Sequence, residues 1–133
     1  MTDFAHMLST GRINVMSLRN RVVLPGMDMN HCDEGVLTPA EIDHYAARAR
    51  GGCGLIITGA SAISWPLGAT SSKQAALSHD RYIPGLTALA DAVHAGGGRM
   101  CIQLVHHGKV AGVDTADGRP LLVPSVPPSR MDL

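Results

Sequence analysis

Three stretches of this chain place small or polar residues directly after an apolar run: Pro25-Gly26-Met27-Asp28, Gly59-Ala60-Ser61, and Gln103 to His107. The first two are small and flat, which lets a backbone come close to a planar ring. Gln103 is different, because one side-chain amide offers a donor and an acceptor together. That pair suits the alternating carbonyl and imide groups of a pyrimidine-like edge, and it equally suits the capping of a neighbouring backbone group.

The apolar runs that carry these residues are Arg21 to Met27, Cys53 to Gly59 and Arg99 to Val105. Short apolar runs separated by helix-like segments read as buried parallel strands, at about 21–27, 53–59 and 99–105. Ligands of parallel α/β folds gather at the carboxyl ends of such strands, where the three stretches lie. Ile13 to Arg19 alternates and reads as a small hairpin capping one end of the core. A helix is expected over residues 39–50. Thr38 serves as its N-cap, Pro39 stands at the first helical position, and Glu41 is placed to reach back as in a capping box. Ile42, Tyr45, Ala46 and Ala49 form its apolar face, with Glu41, Asp43, His44, Arg48 and Arg50 off it, and Gly51-Gly52 ends it. Pro84 opens a second helix, at about 84–95, with Leu86, Leu89, Ala90 and Val93 as its buried stripe and Gly96-Gly97-Gly98 as its stop. Between strand two and this helix, residues 61–80 read as a long, Ser-rich loop, and loops of that length tend to be functional. Beyond His106 the chain turns to Gly, Asp and Pro and reads as loop. The fold class is therefore α/β, with parallel strands joined by helical crossovers. Three strands leave two open sheet edges, so the architecture looks unfinished.

Composition closes several routes. With 45 % hydrophobic residues in 133, the chain can bury a core. Lys plus Arg equals Asp plus Glu at 11 each, so no basic surplus exists for nucleic acid or an anionic membrane. Only Phe4, Tyr45, Trp65 and Tyr82 are aromatic, too few for base-stacking platforms. No secretory signal or membrane-length apolar run is present, and a cytoplasmic protein is expected. Cys32, Cys53 and Cys101 lack CxxC spacing and read as reduced, buried thiols.

Other candidate sites are weaker. Asp28-Met29-Asn30 opens like a calcium loop, but Asp33 stands where that loop needs glycine. His106 and His107 are adjacent, so on a strand they face opposite ways and cannot chelate one ion. Gly51, Gly52 and Gly54 precede a strand and are helix-stop residues, not a dinucleotide fingerprint. Trp65 reads as a packing anchor, Lys73 and Arg81 as solvated charges, and Arg21 as a buried partner for a carboxylate.

Four motifs in order carry a family resemblance: Asn20-Arg21-Val22-Val23-Leu24-Pro25-Gly26-Met27; Tyr45 to Ala49 with Gly51 to Ile57; Asp91 to Gly97; and Gln103-Leu104-Val105-His106-His107-Gly108-Lys109. From about residue 10 to Val126 the chain resembles the N-terminal third of the Old Yellow Enzyme family of FMN-dependent ene reductases, and most of all the 2,4-dienoyl-CoA reductase-like branch. The resemblance implies the first three βα units of a TIM (β/α)8 barrel, which typically needs about 250 residues, preceded by a hairpin cap. It implies FMN at the C-terminal mouth, NAD(P)H as reductant, a small-molecule enone or enoyl substrate, and a parent open to forming a homo-oligomer. Carried over position by position, it implies flavin contacts at Pro25, Gly26, Met27 and Asp28, at Ala60, and at Gln103, which would meet the pyrimidine end of the ring. The family's substrate-binding histidine pair, tyrosine proton donor, flavin-binding arginine and phosphate loops would lie past Leu133. The chain is thus expected to be either part of a reductase or a fragment without activity of its own. Asp28 departs from the family's usual Thr, Cys or His. An ionised carboxylate there would repel negative charge on a reduced flavin.

Overall fold

The computed structural model describes residues 3–125. A short helix α1 (Ala5–Leu8) leads into an antiparallel hairpin of β1 (Gly11–Ile13) and β2 (Met16–Leu18), in which Gly11 pairs with Leu18 and Ile13 with Met16. The hairpin anticipated at residues 13–19 is therefore present, and it begins two residues earlier. β3 (Val23–Leu24), β4 (Leu55–Ala62), β5 (Ala75–Ala76) and β6 (Arg99–Val105) make one parallel sheet. β4 is its centre. Leu55 pairs with Val23 on one side and Arg99 on the other, and Ser61 pairs with Ala75 and Leu104, so β3 and β5 share the side opposite β6.

Helix α2 (Pro39–Arg50) occupies the expected residues, and α3 (Ile83–Ala95) starts one residue early, after a 3-10 turn at Asp80–Tyr82. Both pack on the sheet over a core of Cys32, Leu37, Tyr45, Ala49, Ile56, Leu89 and Val93. Met100 turns toward this core, whereas Cys101 and Gln103, one step out of phase, are exposed on the face that no described residue covers. Leu104, in phase with Met100 and so on the other face, is 68 % exposed. Two βα units plus a third strand with a bare inner face are the start of a barrel and not a closed sheet.

Several expectations need correction. Strand one is only the two residues of β3, because Pro25 has no N–H for the ladder and the chain then turns into the site. Strand two runs on through Gly59 to Ala62, since β5 and β6 pair with its far end from both sides. The long loop therefore contains β5. The tail beyond His106 holds a 3-10 turn (Gly108–Val110) and a helix α4 (Gly112–Ala116), whose Asp114 is fully buried and accepts a hydrogen bond from Gly68 N–H at 2.8 Å. Pro127 and Pro128 lie outside the described residues. Glu41 does not close a capping box: Thr38 Oγ1 accepts from Glu41 N–H, but the carboxylate turns inward, 6 % exposed, to accept from His31 N–H at 3.3 Å. Cys32 is buried as expected, Cys53 is half-buried, and Cys101 is exposed because it faces the open interior. Arg21 is an exposed side chain bound to Ser9 Oγ, not a buried partner of an acid. Arg19 has the structural task instead. Its guanidinium donates to Gly96 O and Cys53 O, each at 2.9 Å, and to Ala49 O, which ties the hairpin to the ends of both helices. Lys73 is exposed but ion-paired to Asp33 at 2.9 Å, and Arg81 lies over the Tyr82 ring.

Candidate functional site

The site is built around an irregularity in the central strand. Between β4 and β6 the pairing runs Ile57 with Cys101 and then Ala60 with Gln103, so β4 spends one more residue than its partner across this interval. The result is a β-bulge at Thr58 and Gly59. Amides displaced from a ladder inside a core must find other partners. Here side chains supply them. Gly59 N–H donates to the Tyr45 hydroxyl at 2.8 Å, and Ala60 N–H donates to Asp28 Oδ1 at 2.6 Å. Gln103 N–H donates to Thr58 Oγ1 at 3.3 Å, and Gln74 Nε2 donates to Ala60 O at 3.0 Å.

The segment after β3 lies directly on this bulge. A methyl group on Gly26 would sit 2.4 Å from Gln103 Oε1 and 2.8 Å from Thr58 O. One on Gly59 would sit 2.5 Å from Met27 O and 2.9 Å from Asp28 Oδ1. Both positions require glycine for close approach. The structure therefore brings Gly26, Met27, Asp28, Ala60 and Gln103 to one place. Gly26, Met27, Asp28 and Gln103 are exposed around a buried Ala60. Pro25 is exposed next to Gly26. The Gln103 side-chain amide lies over Gly26, and no described residue hydrogen-bonds it, so it does not cap a neighbouring backbone group. Its donor and acceptor have no partner among the described residues. A flat ring with an imide edge fits this arrangement of small residues and one free amide. The Ala60 N–H, in contrast, is already engaged by Asp28.

Behind the bulge lies a cavity of about 20 Å³, room for one water, bordered by Glu41, Tyr45, Gly59 and Gln74 among others. Burial here dominates the titrations. It pushes the Cys32 thiol up to about 12, with the Glu41 charge adding to it, and it pushes the Tyr45 phenol up to about 12 and the Glu41 carboxyl above its ordinary range. Cys32 is accordingly an inert thiol.

Sequence reasoning missed Gln74, Tyr45 and Thr58. Gln74 is 3 % exposed, and its amide is fully used: Oε1 accepts from Thr70 N–H at 3.0 Å, while Nε2 serves Ala60 O and meets His107 Nε2 at 2.9 Å. Nothing in a Ser-rich loop marks such a residue. Tyr45 did leave a signal, since a tyrosine on a buried stripe needs a partner for its hydroxyl. His106 and His107 lie beyond the end of β6 and engage different groups, Gly108 N–H and Gln74.

Comparison with known proteins follows the geometry. A relative from Thermoanaerobacter brockii named NADH oxidase is 38 % identical over 129 residues, 96 % of this chain and 20 % of its own length. A relative from Halalkalibacterium halodurans named NADPH dehydrogenase is 38 % identical over 112 residues, 83 % of this chain and 32 % of its own. The chain thus spans a third or less of the length of the curated relatives it matches. Among solved structures, Old Yellow Enzyme from Pichia sp. superposes with a TM-score of 0.82 at 24 % identity, over 90 % of this chain and 32 % of that one, which shows the fold. Morphinone reductase in complex with tetrahydroNAD superposes with a TM-score of 0.71 at 29 % identity, over 78 % of this chain and 28 % of that one. The partial barrel expected from the motifs is the fold of these enzymes' N-terminal portion. Residues 12–130 match the model of a single family, and the chain belongs to it: the NADH:flavin oxidoreductase / NADH oxidase family.

Proposed function

We propose that this chain forms the flavin-contacting N-terminal part of an FMN-dependent oxidoreductase that reduces an activated C=C bond of a small enone or enoyl compound with a hydride from NAD(P)H. The single observation that carries this reading is the Gln103 amide, exposed and without a protein partner, held over Gly26 beside Ala60. In this reading Pro25, Gly26, Met27, Asp28, Ala60 and Gln103 contact the ring. FMN, when bound, supplies the hydride relay between nicotinamide and alkene. The chain's own residues orient and shield it. Gln103 donates to and accepts from the imide edge, and the missing side chain of Gly26 leaves room for the Gln103 amide and the Thr58 carbonyl to lie against it. Relatives named NADH oxidase and NADPH dehydrogenase support a nicotinamide reductant.

A second reading is a non-catalytic fragment with no activity of its own. It is favoured by the chain's spanning only 20 % and 32 % of those relatives. Absorbance of the native polypeptide purified from its source separates the two. A flavin spectrum whose FMN is lost or weakened in Gln103→Ala is expected. A polypeptide that neither carries nor takes up FMN refutes the flavin reading.

A further inference from the structure

The buried polar cluster behind the bulge has no part in the contacts described so far, and its geometry gives it one. Tyr45 and Glu41 are four residues apart on α2 and so share one helix face, turned to the back of β4. Tyr45 is 2 % exposed and Glu41 6 % exposed. The Tyr45 hydroxyl accepts from Gly59 N–H at 2.8 Å, and the Glu41 carboxylate is buried one turn away on the same helix. That carboxylate is itself fixed by His31 N–H at 3.3 Å. The Tyr45 hydroxyl thus holds one of the two β4 amides that side chains satisfy at the bulge, as Asp28 holds the neighbouring Ala60 amide. Gly59 is also the residue against which Met27 O and Asp28 Oδ1 rest, and the preceding Thr58 carbonyl borders Gly26.

We propose that Tyr45 is a positioning residue of the flavin pocket: its hydroxyl holds the Gly59 N–H and so sets the Thr58 and Gly59 peptides on which Gly26, Asp28 and Gln103 are seated. The proposal rests on the flavin reading above. Tyr45 touches no part of the ring and acts through the strand. An unheld Gly59 amide would reorient to seek water, and the Thr58 carbonyl beneath Gly26 would turn with it. The raised phenol value agrees with a hydroxyl that stays protonated at neutral pH.

Residue-resolved amide exchange in the chain, together with FMN titration of the native polypeptide, tests this. In Tyr45→Phe the Gly59 amide should exchange roughly tenfold faster, the worth of one net hydrogen bond, while Leu55 and Ile56 keep their protection. The Gln103 side-chain amide resonances should move, and FMN should bind severalfold more weakly. Glu41→Gln, which leaves the phenol in place, should retain both protection and affinity. Unchanged Gly59 exchange, or a loss spread evenly along β4, overturns the proposal as a merely structural effect. FMN uptake that Tyr45→Phe leaves unaltered overturns it as well, while the flavin reading survives. Absence of FMN uptake in every variant, wild type included, overturns the flavin reading and the positioning role with it.

Discussion

Replacing Gly26 by alanine adds one methyl group where two oxygens already stand. The new Cβ would lie 2.4 Å from Gln103 Oε1 and 2.8 Å from Thr58 O, both well inside van der Waals contact. The two obstacles differ in kind. Gln103 is exposed and its amide can swing aside, whereas Thr58 belongs to the central strand and can yield only by moving β4 or the 26–28 segment. Overpacking of this sort costs about 1–3 kcal/mol. With a urea dependence of about 1–3 kcal/mol per molar for small domains, the unfolding midpoint of Gly26→Ala should fall by roughly 1 M. Gly11→Ala is the control, because its nearest neighbour would be 3.5 Å away, and its midpoint should stay within error. The double variant Gly26→Ala/Gln103→Ala loses the nearer obstacle and keeps the Thr58 carbonyl. It should therefore recover part of the loss, with a coupling of about 0.5–1 kcal/mol between the two sites. A Gly26→Ala chain with an unmoved midpoint and unshifted Gln103 amide resonances would refute the close approach on which the site is built.

Further outcomes follow from the same coordinates. Iodoacetamide at neutral pH should alkylate exposed Cys101 readily and leave Cys32 untouched in the folded chain, since burial holds that thiol protonated up to about 12; rapid loss of the Cys32 peptide on mass mapping would contradict its placement. Glu41 is raised by burial, so the folded state holds its proton more tightly than the unfolded state does. Its contribution is then fully present below the ordinary value of 4.5 and is lost as pH climbs through the raised folded value. Urea midpoints of Glu41→Gln should lack that decline, and parallel pH curves for variant and wild type would count against it. Asp28→Asn removes an exposed negative charge from the pocket rim and should raise the flavin midpoint potential of the native polypeptide by on the order of 20 mV, read by equilibrium redox titration. An unmoved potential would show that the carboxylate does not face the ring.

Asp28 also illustrates how far residue types alone carry. As a departure from the usual donor in the resembling family it stood out in the chain, yet its hydrogen bond to Ala60 N–H became visible only once β3 and β4 were side by side. The helices show the opposite case. Thr38, Pro39 and the glycine stops bracket α2 and α3 almost to the residue, because capping is decided within a turn of chain. Glu41 escaped the same logic. Its local option was the capping box, and the His31 N–H, ten residues back along the chain, outcompeted it.

Local pattern therefore determined the α/β order of elements, the helix limits, and which three strand ends carry small residues and an amide. These properties depend on neighbours within a few positions, and sequence records such neighbours directly. Tertiary structure alone decided that β4 is bulged, that it continues past Gly59 to pair on both sides, and that Gln74 and Tyr45 secure the loose amides. Those choices depend on partners well beyond one turn of chain, such as Gly59 with Tyr45 at a separation of 14 and Gln103 with Thr58 at 45. A buried amide takes whichever acceptor the packed chain presents, and no local signal records which one that will be.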